Sequence, residues 1–228
     1  MTQLYALYKN GASPSQQAYM DSMINSQQQL RNIKQNLLGV LSTIQDDGVA
    51  SQITAAIALI QMNVAPVIAI HIPFGGDNHS DPGFAMETAQ TVSGVASLAS
   101  LMSQLQSAGL QDQVTFMTLN VFGRTLASNS GTSFASSPGR GHNPNHQVSI
   151  TIGKPFKGGV VGACTPVPQA QGGDYGATGI DSATGAGTSG GDIAAVDTLG
   201  SFGQTMLAAV GADPTVISAG KVIAGALA

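Results

Sequence analysis

Residues 67–119 constrain the fold more than any other stretch of this chain. Val67-Ile68-Ala69-Ile70-His71-Ile72 is a short, continuous β-branched run, as expected of a strand buried on both faces of a parallel sheet. Beyond a Gly-rich turn, Phe84, Met86, Ala89, Val92, Val95, Leu98, Leu101, Met102 and Leu105 recur at three- and four-residue steps. That period predicts a long helix, opened by Asp81-Pro82 and closed by Gly109. Val114-Thr115-Phe116-Met117-Thr118-Leu119 is the next strand-like run. Strand, helix, strand and helix in alternation predict an α/β three-layer sandwich with a mostly parallel sheet.

The flanks fill in this scheme. Pro14 to about Gln45 is polar and Gln-rich, with Met20, Met23, Ile24, Leu30, Ile33, Leu37, Leu38 and Leu41 on roughly one face, a long amphipathic helix with Ser13 placed to cap it. Val49 to about Met62 reads as a second, more apolar helix. Val148 to Ile152 and Val160 to Ala163 read as strands around the Lys157-Gly158-Gly159 turn. Residues 128–138 read as a Ser/Gly-rich loop, and the low-complexity stretch from Gln171 to Gly191 as a surface loop. Asp192 to Val210 is a final helix, punctuated by Gly211 and Asp213-Pro214. The expected division is a helical segment over 1–66 and an α/β domain over 67–228.

Composition excludes several functions. Charged residues make up 9% of the 228, against about 25% in an ordinary soluble domain. The net charge of −4 comes with no basic patch, so nucleic acid is not an expected partner. The apolar stretch from Ile53 to Ile72 is split by Asn63 and Pro66, so no membrane span is expected there. Cys164 stands alone and forms no internal disulfide. The N-terminus has neither a basic nor an apolar export region.

Against this sparse background the four histidines fall in two clusters. His71 and His79 flank Pro73-Phe74-Gly75-Gly76-Asp77-Asn78, and His142 and His146 lie in Gly139-Arg140-Gly141-His142-Asn143-Pro144-Asn145-His146. Val121-Phe122-Gly123-Arg124-Thr125 sits between them at a strand end, where α/β folds place their chemistry. Carboxylate and neutral imidazole suit zinc or manganese. Asp77 and His79 equally fit a capped turn, His71 a satisfied strand histidine, and Arg124 a loop anchor.

These motifs, in this order, resemble the C-terminal half of the DUF1501 family, which is similar to the alkaline phosphatase and sulfatase superfamily. The landmarks are Gly76-Asp77-Asn78-His79, the long helix with Leu110-Gln111-Asp112-Gln113-Val114 after it, Phe122-Gly123-Arg124-Thr125, Gly139-Arg140-Gly141-His142-Asn143-Pro144, Lys157-Gly158-Gly159 and the final helix to Asp213-Pro214. The resemblance implies an alkaline-phosphatase-like fold. It also implies that Asp77 and His79 ligate a divalent ion, zinc or manganese, with His142 a further ligand and His146 a candidate fourth. Arg124 would orient a ligand or bind a substrate oxygen, with Asn120 beside it. Family members are often exported, which implies a periplasmic setting.

The chain departs from the family at two carboxylates. Asn120-Val121 stands where the family has Ser-Glu, and Gly141 where it has Asp. The family's N-terminal half has no counterpart in residues 1–66, which makes this chain look like a truncated relative or separately encoded fragment. Two functions follow as expectations. One is a metal-dependent hydrolase of small anionic phosphate, sulfate or carboxylic esters with a reduced, single-metal site. The other is a non-catalytic binding or assembly protein. Under either, the Gln-rich helix and an uncovered sheet edge predict a homo-oligomer.

Overall fold

A computed structural model of the chain describes residues 2–81, 83–119, 122–128, 139–167 and 174–228, the side chains of residues 2–4, 32–38, 41, 127 and 128 apart. The chain divides into two compact units, Met1–Ile72 and Pro73–Ala228.

The first unit is helical: α1 (Thr2–Lys9), α2 (Pro14–Leu41) and α3 (Val49–Gln61). Ser13 starts α2 with a reciprocal cap. Its amide donates to Gln16 Oε1 at 2.9 Å, and the Gln16 amide donates to Ser13 Oγ at 3.4 Å. An ion pair between Lys9 and Asp21 ties α1 to α2. Ile53, Ala56, Ala58 and Met62 are buried, and Asn63, at φ 52°, ends α3 in the left-handed region. Residues 67–72 then run outside any helix or ladder, with Ile68, Ile70 and Ile72 half-buried and Val67, Ala69 and His71 exposed. The His71 amide donates to Gln52 Oε1 at 2.7 Å.

The second unit opens with the turn that leads to α4 (Ala85–Ser107). The Asp81 carboxylate accepts from the amides of Ala85 (3.0 Å) and Glu87 (2.9 Å), two donors that the first helical turn leaves over. At the other end Gly109, at φ 69°, allows the Gly109 amide to reach Gln106 O (3.0 Å) and the Leu110 amide to reach Leu105 O (2.8 Å). That is the Schellman pairing. Leu98, Leu101 and Leu105 are buried, whereas Met86, Val92 and Val95 are exposed.

Among the described residues the strands form three antiparallel pairs. β1 (Phe116–Met117) pairs with β4 (Thr151–Ile152), β2 (Gly123–Ser128) with β3 (Arg140–Asn143), and β5 (Cys164–Pro166) with β6 (Tyr175–Ala177). The expected α/β three-layer sandwich with a mostly parallel, alkaline-phosphatase-like sheet is therefore corrected. Apart from one isolated bridge, Gly162 to Ala186, no parallel pairing occurs among the described residues, and no ladder has more than two strands. The reason is local. The apolar runs are interrupted by Gly123, Gly153, Gly158, Gly159 and Gly162, so strands stay at two to six residues. The strand expected at 67–72 joins no ladder, and the strand expected over 160–163 forms instead at Cys164–Pro166.

The C-terminal part packs Ile180, Ile193, Ile223 and Ala226 into one core. The helix expected over 192–210 begins later, as α5 (Thr198–Ala209) after a 3-10 turn at Ala195–Asp197. Buried polar side chains of α5 hold the irregular segment that follows. Ser201 Oγ accepts from the Lys221 amide at 2.9 Å, and Gln204 Nε2 donates to Ile217 O at 2.6 Å. Thr205 Oγ1 donates to Ser201 O at 2.6 Å and accepts from the Ile223 amide at 2.9 Å. No helix among the described residues is long and apolar enough to cross a membrane.

Thr205→Val keeps the shape of that side chain and leaves the Ile223 amide buried without an acceptor, at a cost of about 1–3 kcal/mol. The expected result is a melting temperature lower by roughly 2–12 °C, read by circular dichroism. An unchanged melting temperature would show that this bond does not hold the segment.

Candidate functional site

The turn at 77–79 and the β2–β3 ladder bring four of the expected residues to one place. Arg124 and His142 are directly opposite one another in the ladder, so their side chains share a face. His79 arrives from the turn. Its Nε2 lies 2.9 Å from His142 Nε2 and 3.0 Å from Arg124 Nη1. Asp77 completes the group, with Oδ1 3.7 Å from His79 Nε2 and 3.5 Å from Arg124 Nη2. Phe122 lies two residues before Arg124. Its ring centre is 4.2 Å from that of His142 and 5.3 Å from Arg124 Cζ.

Donor chemistry fixes the tautomers. A guanidinium only donates, so His79 Nε2 accepts from Arg124, and the His142 Nε2 that faces it donates. Desolvation by its neighbours, then the Arg124 charge, then His79, hold the His142 imidazole below its ordinary 6.5, while Asp77 pulls the other way. His142 is thus neutral at neutral pH, the form that ligates metals.

The remaining expected residues lie elsewhere. His146 Nδ1 donates to Tyr175 O at 3.1 Å, and its ring sits where a side chain on Gly123 would be, on the face of β2 opposite Arg124. His71 belongs to the segment after α3 in the first unit and is exposed. Asn120 lies outside the described residues.

A layer that sequence reading did not assign holds the cluster. Arg140 Nε donates to Glu87 Oε2 at 2.8 Å, and its Nη1 donates to Thr125 O at 2.6 Å and to Leu126 O. Its guanidinium lies over the Phe84 ring, with Cζ 4.3 Å from the centre. Glu87 also accepts from Asn78 Nδ2, and Thr125 Oγ1 accepts from the Gly141 amide at 2.9 Å. Gly139 joins strand and turn, its amide donating to His79 O at 2.7 Å. A Cβ there would collide with the Asn78 carbonyl oxygen. The signal for this layer was rarity, since Glu87 is the only glutamate of the chain and Arg140 one of three arginines.

The donor set can be tested against a metal. Two nitrogens on one zinc, each at about 2.0–2.1 Å in tetrahedral array, lie roughly 3.3–3.4 Å apart. The histidine nitrogens at 2.9 Å need to open by a few tenths of an ångström. The Asp77 side chain is 76% exposed, and its Oδ1 accepts from the His79 amide at 3.4 Å and from Arg124 Nη2 at 3.5 Å. As placed, no three His, Cys, Asp or Glu side chains among the described residues are grouped to hold an ion. The histidine pair fits a metal, then, and the third ligand fits only after Asp77 rotates.

No protein-family model, curated protein or solved structure matches this chain.

Glu87→Ala strands the Arg140 charge and the Asn78 amide together. Both ionic side chains are partly exposed, so the expected loss is about 1–2 kcal/mol after screening. The test is a melting curve alongside histidine side-chain NMR. Stability should fall and the His79 and His142 resonances should move. Unmoved resonances in a destabilised protein would show that the layer does not position the histidines.

Proposed function

We propose that this chain is a metal-dependent, hydrolase-like protein acting on small phosphate, sulfate or carboxylic esters through one reduced site of His79, His142 and Asp77. The observation that carries this reading is the approach of two imidazole nitrogens to 2.9 Å from segments 63 residues apart in sequence. The order of motifs, which resembles that of the DUF1501 family, supports the same reading, and the fold carries none of it.

A divalent zinc or manganese ion held there supplies Lewis-acid polarisation of an ester oxygen. The chain's own groups do the rest. The acceptor nitrogen of His79 offers one lone pair, His142 Nε2 would offer a second once its proton moves to Nδ1, and Asp77 offers a carboxylate at the solvent edge. Arg124 presents a forked charge suited to an anionic oxygen. The Phe122 ring lies against that of His142, whose side chain stays open to solvent.

Metal content per chain, measured by mass spectrometry after loading and dialysis, tests the proposal. About one ion per chain is expected in the wild type, lost in His79→Ala and in His142→Ala. No stoichiometric ion in the wild type overturns the hydrolase reading. It then favours a non-catalytic binding or assembly protein, a reading that the exposed and already engaged Asp77 also supports.

The same proposal includes self-association through α2, a helix rich in Gln and Asn that leaves Tyr19 and Leu30 more than half exposed. Light scattering is expected to give a dimer or larger for the wild type and a monomer for Leu30→Glu. A monomeric wild type would remove the oligomer from the proposal.

A further inference from the structure

Arg124 lies among the residues that would hold the ion, and its contacts are the ones a metal would need. Its Nη1 donates to His79 Nε2 at 3.0 Å and its Nη2 reaches Asp77 Oδ1 at 3.5 Å. One planar fork therefore engages two of the three groups assigned as ligands, and the third, His142, faces it across the ladder. The imidazole nitrogen has one lone pair. A guanidinium that is charged at every accessible pH cannot share that pair with a cation, and the two like charges repel at this distance.

We infer that Arg124 is a resident counter-cation, a side chain that occupies the ligand cluster and must release His79 before a divalent ion can bind. This rests on the metal-site reading above. The local structure suits the role. Backbone pairing sets the position of Arg124 opposite His142, so release requires only side-chain rotation. The Phe122 ring, 5.3 Å from Cζ, supports the guanidinium as a cation–π partner. The cost of displacing the guanidinium is subtracted from the intrinsic affinity of the ligands, as for any site whose competent form is a fraction of the population. Arg124 then sets how much free metal the protein needs, and an anionic ligand that draws the guanidinium toward itself tightens metal binding.

The experiment is a competition titration of zinc against a chromophoric chelator, using the full chain at neutral pH, for wild type, Arg124→Met and Arg124→Lys. Methionine keeps the length and apolar stem without the charge, and lysine keeps the charge without the fork. Arg124→Met should bind zinc about tenfold or more tightly than wild type, with Arg124→Lys between them. Without zinc, Arg124→Met should melt lower than wild type, because the histidines and Asp77 lose their common donor. With zinc that order should reverse. Zinc bound only by Arg124→Met is the strongest form of the expected result.

Equal affinities in wild type and variants, with about one zinc each, would overturn the counter-cation and leave the metal site standing. Weaker binding by a cooperatively melting Arg124→Met would also overturn it, since Arg124 would then assist the ion. No zinc on any of the three would overturn both the site and the inference. If Arg124→Met does not fold, the comparison of wild type with Arg124→Lys decides, tighter binding by the lysine variant supporting the inference and equal or weaker binding refuting it.

Discussion

The guanidinium of Arg140 is the contact on which the rest of the candidate site depends. It joins Glu87 on the first turn of α4, the Thr125 and Leu126 carbonyls of β2 and the Phe84 ring, while its own backbone amide donates to Asn78 O at 3.3 Å. Four segments meet at one residue: the turn at 77–79 through its backbone amide, the start of α4 and β2 through its side chain, and β3, to which it belongs. Only about a fifth of the Arg140 side chain remains exposed, so its five donors must find acceptors in the protein, and its planar fork lets one group satisfy several directions at once. Fixing those four segments places His79 against His142 and Arg124. A lysine could not do this, because a point charge on a flexible stem holds no fork.

The sequence was legible where the signal is local. Ser13 with Pro14, Asp81 before α4, Gly109 and Gly211 mark helix ends through chemistry carried by the neighbouring few residues, and the helix ends fall beside them. Asp77, His79, Arg124 and His142, which the resemblance names together, do lie together, but they are brought there by an antiparallel ladder and a turn and not by the ends of parallel strands. Sheet architecture was not legible, for a physical reason. A run such as Val67–Ile72 announces extended backbone but carries no information on its partner, and a β-branched run reads alike whether it pairs parallel, antiparallel or not at all. His146 was misread by proximity: four residues beyond His142, past Asn143 and Pro144, the chain has turned to the other face of β2. Glu87 and Arg140 escaped notice as a pair because their contact spans 53 positions.

A chain this poor in charge satisfies its backbone by other means, and the distribution of those means separates structure from function. Around α5 the unpaired backbone groups of an irregular segment are met by neutral side chains, Ser201, Gln204 and Thr205, each buried and each bonded to main chain. Neutral hydroxyls and amides lose far less on burial than ions do, so they suffice where the task is only to hold backbone in place. At the β2–β3 end the chain uses Asp77, Glu87, Arg124 and Arg140 within one neighbourhood, two of its three arginines and its only glutamate. Neutral groups could have tied those loops together as they do beside α5. Arg140 and Glu87 earn their charge by fixing four segments at once, whereas Arg124 holds His79 at 3.0 Å and meets at 3.5 Å an Asp77 side chain that mostly faces solvent. The Arg124–Asp77 pair by itself adds little to stability at that exposure, and its place beside two converging imidazoles is what the proposed ligand chemistry would use.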